Sequence, residues 1–171
     1  MRKKMLICAS VLLVVICLVG AFAVQSSKIV GEEGLIATAR KEIKNFAEVE
    51  TNEMTIAGKS TIDRNTHLFW FATGNEYQMS RPHPIEFIEL ENNEYKFVKT
   101  YNPLPRGQDI YVLLWKGGYS FCVNNPNCKV IKIDDYAGVK EIEVTEYPFV
   151  YYNVLIPGEY LFLDKDGNEI R

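Results

Sequence analysis

The stretch Ile110-Tyr111-Val112-Leu113-Leu114-Trp115-Lys116-Gly117-Gly118-Tyr119-Ser120-Phe121-Cys122-Val123 decides the fold. Residues 110–115 are continuously apolar, which reads as a strand buried on both faces or central to its sheet. Lys116-Gly117-Gly118 supplies the glycines of a tight turn, and residues 119–123 return as a second strand. The same construction recurs on both sides. Residues 85–91 and 94–99 are joined by Asn92-Asn93. Residues 55–57 and 60–62 flank Gly58-Lys59, and residues 67–73 and 76–79 flank Gly74-Asn75, so each reads as a hairpin. Residues 149–156 and 160–163 meet at Pro157-Gly158. In residues 140–144, Ile142 and Val144 share one face while Glu141 and Glu143 share the other.

Short strands at intervals of about eight to twelve residues indicate a sandwich, barrel or rolled sheet rather than βαβ units. Parity breaks at Phe87-Ile88 and Val130-Ile131, where a bulge or a second covered face is expected. Before this train, Ile36, Ala39, Ile43, Phe46 and Ala47 recur at helical spacing. Glu32 and Glu33 lie at the start and Arg40, Lys41 and Lys44 lie later, which suits the helix dipole. One amphipathic helix over residues 32–48 follows. The expected fold class is therefore mainly β (α+β): residues 25–52 are a polar link and helix, and residues 53–171 a single antiparallel β-rich domain.

The other end of the chain fixes its compartment. Arg2, Lys3 and Lys4 precede twenty uncharged residues, 5–24, whose only polar side chain outside the cysteines is Ser10. A helix of that length covers about 30 Å, the hydrocarbon thickness of a bilayer. Cations on one flank put the N-terminus in the cytoplasm and the rest of the chain outside it. Residues 1–24 are expected to stay as a single-pass signal-anchor in the cell membrane. The alternative is a signal peptide cut after Ala21-Phe22-Ala23, which releases a secreted protein.

The 171 residues carry 19 basic and 22 acidic side chains, a net charge of −3. Setting aside residues 1–23 removes three cations and no acid, so the exported part stands at 16 against 22, or −6. A nucleic-acid partner is excluded on that charge. Cys8 and Cys17 lie in the apolar segment, whereas Cys122 and Cys128 flank Val-Asn-Asn-Pro-Asn between strand-like runs 119–123 and 129–133. A hairpin closing there in an oxidising compartment predicts a Cys122–Cys128 disulfide, worth about 2–2.5 kcal/mol on the chain-entropy model.

Motifs for chemistry are sparse. The sequence holds no Gly-x-Ser-x-Gly, His-Glu-x-x-His or phosphate loop. Only two histidines are present, too few with the cysteines for a zinc site, so neither metal nor cofactor is expected. His83, in the stiff segment Arg81-Pro82-His83-Pro84, is the candidate general base or ligand, and His67 opens an apolar strand. Asp164-Lys165-Asp166-Gly167-Asn168-Glu169 places glycine fourth, not sixth as a calcium loop requires, and reads as a polar turn. Ten Tyr, nine Phe and two Trp are a surplus of aromatics that either fill a β core or stack on a ligand such as a sugar. Tyr147, before Pro148, together with Tyr151 and Trp115, are the candidate contact residues.

The leading expectation is a non-catalytic, membrane-tethered extracytoplasmic domain. It would bind a protein partner or cell-envelope polymer by a β face or edge. A small exported hydrolase using His83 with carboxylates, and an accessory subunit of a membrane complex held by its anchor helix, are the alternatives.

Overall fold

A computed structural model describes residues 29–46, 53–73 and 82–170. The segment expected to span or leave the membrane, 1–24, lies outside the described residues, as do 74–81 with the expected Gly74-Asn75 hairpin. No helix among the described residues is long and apolar enough to cross a membrane.

The described chain is mostly antiparallel β with one helix. Its elements are β1 (Ile29–Val30), α1 (Gly31–Phe46), β2 (Met54–Thr61), β3 (Thr66–Thr73), β4 (His83–Glu89), β5 (Glu94–Thr100) and β6 (Leu104–Pro105). There follow β7 (Ile110–Trp115), β8 (Gly118–Val123), β9 (Val130–Asp135), β10 (Gly138–Glu143), β11 (Phe149–Asn153) and β12 (Glu159–Leu163). They form three sheets of strand order β1-β5-β4-β3-β2, β11-β8-β7-β6 and β10-β9-β12.

Side-chain parity turns these sheets into layers. On β3 and β4 the alternate residues Phe69, Phe71, Ile85 and Phe87 pack against Leu35, Ala39 and Ile43 of α1. From the opposite face of the same sheet, Leu68 and Trp70 pack against Leu113, Trp115 and Cys122 of the second sheet. The second sheet's other face gives Ile110, Val112, Phe121 and Val123 to a cluster with Ile131, Ile133 and Phe162 of the third. The order is helix, sheet, sheet, sheet. The middle sheet has a packed layer on each face, which is why residues 110–115 and 149–152 lack a polar side, although Leu114 is left exposed.

The turn chemistry explains two of the expected hairpins. Asn92 and Asn93 take φ of 60° and 59° between β4 and β5, and Lys116 and Gly117 take 48° and 80° between β7 and β8. Paired positive φ values are those of the tight turn that matches strand twist. The parity break at Phe87 is a register shift between Glu86 and Phe87 against β5.

Three expectations are corrected. Gly58-Lys59 is not a turn: residues 54–61 run as one strand with a bulge between Ile56 and Gly58. At Gly58 a Cβ would lie 2.6 Å from Val150 Cγ2, so glycine there serves close packing rather than reversal. Residues 149–156 and 160–163 do not pair with each other, since β11 joins β8 and β12 joins β9 in a different layer. Nor do 119–123 and 129–133 pair: β8 lies between β7 and β11, and β9 between β10 and β12.

Gly118 is the tightest point of the middle sheet. A Cβ there would fall on the carbonyl oxygen of Asn153 and lie 2.8 Å from the Tyr152 hydroxyl. The oxygen belongs to backbone held opposite by the Asn153–Tyr119 register and cannot swing aside. Gly118→Ala is expected to destabilise by about 1–3 kcal/mol, the ordinary range for overpacking. Denaturant unfolding checks this, and an unchanged midpoint would contradict the close approach.

Candidate functional site

Between the first and second sheets lies a polar core. Glu86 of β4 is 2% exposed and projects to the side opposite Ile85 and Phe87. Its Oε2 accepts from the Tyr101 hydroxyl at 2.5 Å and from the Trp115 indole N–H at 3.0 Å, while Lys116 Nζ stands 3.1 Å from Oε1. Burial on its own would raise the Glu86 carboxyl, but those donors outweigh it and hold it below the usual glutamate range. Burial, reinforced by the adjacent carboxylate, pushes the Tyr101 hydroxyl up to about 12. A second indole answers from the other sheet: Trp70 donates to Ser120 Oγ at 2.7 Å, and Ser120 Oγ lies 2.7 Å from Ser60 Oγ. Each tryptophan therefore crosses to a polar partner on the facing sheet.

The sequence candidates fall as follows. Trp115 is 1% exposed and committed to Glu86, so no face of its ring meets solvent. Tyr147 donates to the Cys128 carbonyl at 2.7 Å and receives Lys129 Nζ at 3.0 Å, with the ammonium also 5.2 Å from the ring centroid. It ties the 124–129 connection to the segment before β11. Tyr151 is half-buried against the cluster between the second and third sheets. His83 is buried at the start of β4 opposite Phe71, on the face turned toward α1. Glu86, the acid next to it on this strand, projects to the other face, so the two do not converge.

The expected Cys122–Cys128 disulfide is not formed: both are free, buried thiols. Cys122 packs between the first and second sheets and Cys128 between the second and third. The chain changes layer between them, so the side chains stand on opposite sides of the middle sheet. Burial pushes the Cys122 thiol up to about 12 and raises Cys128 as well. The expected result is that the tryptic peptide 117–129 is alkylated at both cysteines after denaturation without reductant. Native protein should leave Cys122 unlabelled. An unalkylated peptide two hydrogens lighter would restore the bridge.

His67, which the sequence left in the background, has a fuller set of partners. Its Nε2 is 2.8 Å from Glu89 Oε2 and its Nδ1 3.0 Å from Thr61 Oγ1. This hydroxyl–imidazole–carboxylate row joins the ends of β2, β3 and β4. His67 itself is buried. Among the described residues no group of three His, Cys, Asp or Glu is placed to hold a metal ion.

Exposed apolar side chains gather at the turn ends of β9–β10 and β11–β12. Tyr136 is 99% exposed, and Val154, Leu155 and Ile156 are exposed in succession. Asp134, Asp135, Tyr136, Ile156, Pro157 and Gly158 line a hollow of ≈ 520 Å³ between the two loops. A buried polar cluster pins the loops. Asp135 Oδ2 pairs with Lys140 Nζ at 3.0 Å and accepts from Asn153 Nδ2 at 3.1 Å, and the same amide donates to the Leu155 carbonyl at 2.6 Å. The Lys140 ammonium, the Asn153 amide and the Ala137 N–H hold the Asp135 carboxyl below the usual aspartate range. The Gly158 N–H closes on the Asp134 carbonyl at 2.8 Å. The sequence of this site holds no motif, and Asp134-Asp135-Tyr136-Ala137-Gly138 spells an ordinary turn. Its signal was an aromatic at a turn tip where a polar residue is usual.

No family model, curated protein or solved structure matches the chain.

Proposed function

We propose that the chain is a non-catalytic extracytoplasmic domain, tethered to the membrane by residues 5–24. It binds a protein partner or cell-envelope component through the loops around Tyr136. The carrying observation is the full exposure of Tyr136 beside three consecutive exposed apolar residues, on loops fixed by buried Asp135 and Asn153 and the Asp135–Lys140 ion pair. Exposed aromatic and aliphatic side chains on a preorganised base are the usual anchors of a binding surface. Buried Glu86 and Ser120, in contrast, are engaged in joining the first two sheets.

A photo-crosslinking amino acid placed at position 136 or 155 in intact cells is expected to give one common, discrete adduct. The same probe at Ile62, exposed in the β2–β3 connection, is expected to give none. An adduct that forms equally from position 62 would refute the assignment of the loops. Tethering is checked in the same cells: the membrane fraction should hold a chain that retains residues 1–24.

A further inference from the structure

The third sheet has an outer face that no other layer covers among the described residues. Ile131 and Ile133 of β9 point into the core, so Val130, Lys132 and Asp134 point out. The registers place Val139 opposite Asp134, Glu141 opposite Lys132 and Glu143 opposite Val130 on one side. On the other they place Glu159 opposite Asp134 and Leu161 opposite Lys132. All of these side chains share the outer face, because facing residues of an antiparallel pair lie on the same side. Four exposed carboxylates, Asp134, Glu141, Glu143 and Glu159, therefore share the face with one ammonium, Lys132. None of the four makes an ion pair within the described residues. Val139, 59% exposed, stands among them.

This face is continuous with the hollow beside Tyr136, since Asp134 belongs to both. It also has an open border: among the described residues β10 pairs with β9 alone. An added strand beside β10 would set its alternate side chains on the same outer face, next to Val139, Glu141 and Glu143.

Building on the binding role proposed above, we infer that the occupant is an extended protein segment with alternating apolar and cationic side chains. It lies beside β10, with its cationic side chains on the outer face against Glu141 and Glu143, its apolar side chains on the inner face beside Ile142, and an apolar end at Tyr136. Charge complementarity selects it. Unpaired like charges in this number repel an acidic or phosphate-bearing partner, and the same repulsion disfavours an anionic bilayer.

The probes are short acetylated peptide amides alternating leucine with lysine, glutamate or serine. They are titrated by fluorescence anisotropy against the full chain in phosphatidylcholine nanodiscs, with empty nanodiscs subtracted. The leucine–lysine peptide is expected to bind and to weaken with salt. Replacing Glu141→Lys and Glu143→Lys together should weaken it about tenfold or more and transfer preference to the leucine–glutamate peptide. That gain by the reversed variant also certifies that it is folded. Equal binding of the leucine–serine peptide, or no effect of charge reversal, overturns the inference. So does binding of phosphatidylglycerol vesicles that is lost with Tyr136→Ser. Crosslinks at positions 136 and 155 that persist while charge reversal is silent overturn the cationic partner alone. Loss of both overturns the binding role too.

Discussion

Glu86→Ala is expected to lower the free energy of unfolding by about 3–5 kcal/mol, from two donors left without an acceptor at about 1–3 kcal/mol each and from lost packing. The size follows from what is left behind. Trp115 keeps a buried donor and Tyr101 a half-buried one with no acceptor, and the half-exposed Lys116 loses its counter-charge. Glu86→Gln keeps the size and one carbonyl acceptor, so it should cost less, about 1.5–3 kcal/mol for the charge-assisted component. Chemical denaturation near neutral pH separates the two variants. A loss of under about 1 kcal/mol for Glu86→Ala would mean that water reaches the site and satisfies the abandoned donors.

The same residue gives the protein an acid limb with a definite sign. Its carboxyl is lowered in the folded state from an ordinary 4.5. A depressed folded value means that the stabilisation is fully present above about 4.5 and is lost as pH falls through the folded value. Glu86→Gln has nothing to titrate at that position, so its stability should fall less steeply with acid below 4.5 than that of the parent. Identical acid limbs would place the acid sensitivity elsewhere.

The fold was legible in the sequence where a local signal decided the local structure. The helix expected over residues 32–48 is found at Gly31–Phe46, and the Asn92-Asn93 and Lys116-Gly117 turns fall where their residues can take positive φ. The failures share a cause. At Gly58, Pro157-Gly158 and the loop between Cys122 and Cys128, strands adjacent in sequence read as partners in space. Each of these segments instead bulges within one strand or carries the chain into another layer. Glycine has the same spelling in a turn and beside Val150, and only the neighbouring sheet distinguishes them. The disulfide expectation failed for that reason: cysteine spacing does not report that a sheet stands between the thiols. The surplus of aromatics was legible as a surplus. Its division was not, because burial of Trp115 and exposure of Tyr136 are set by layer order rather than by the flanking residues.

Trp70→Ala is the companion test of how the first two layers are joined, and it is also expected to cost about 3–5 kcal/mol. Trp70 is fully buried at the centre of the inter-sheet cluster, and its indole donates across the gap to Ser120. Truncation therefore opens a large void and removes one of the hydrogen bonds that cross between the sheets. Trp70→Phe separates these effects. It keeps much of the ring volume and leaves Ser120 still bonded to Ser60, so no polar atom is orphaned. Its cost should fall to about 1–3 kcal/mol, set by the lost bond and a smaller void. A cycle of Trp70→Phe with Ser120→Ala should then return a coupling of about 0.5–1.5 kcal/mol, the net value of one buried hydrogen bond. Leu114→Ala is the reference, because Leu114 lies in β7 beside Trp115 yet is 55% exposed, and its change should stay within about 0.5 kcal/mol. If Trp70→Ala cost no more than Leu114→Ala, the two sheets would not be packed through this residue. The layered order derived from the three apolar clusters would then be wrong at its central step.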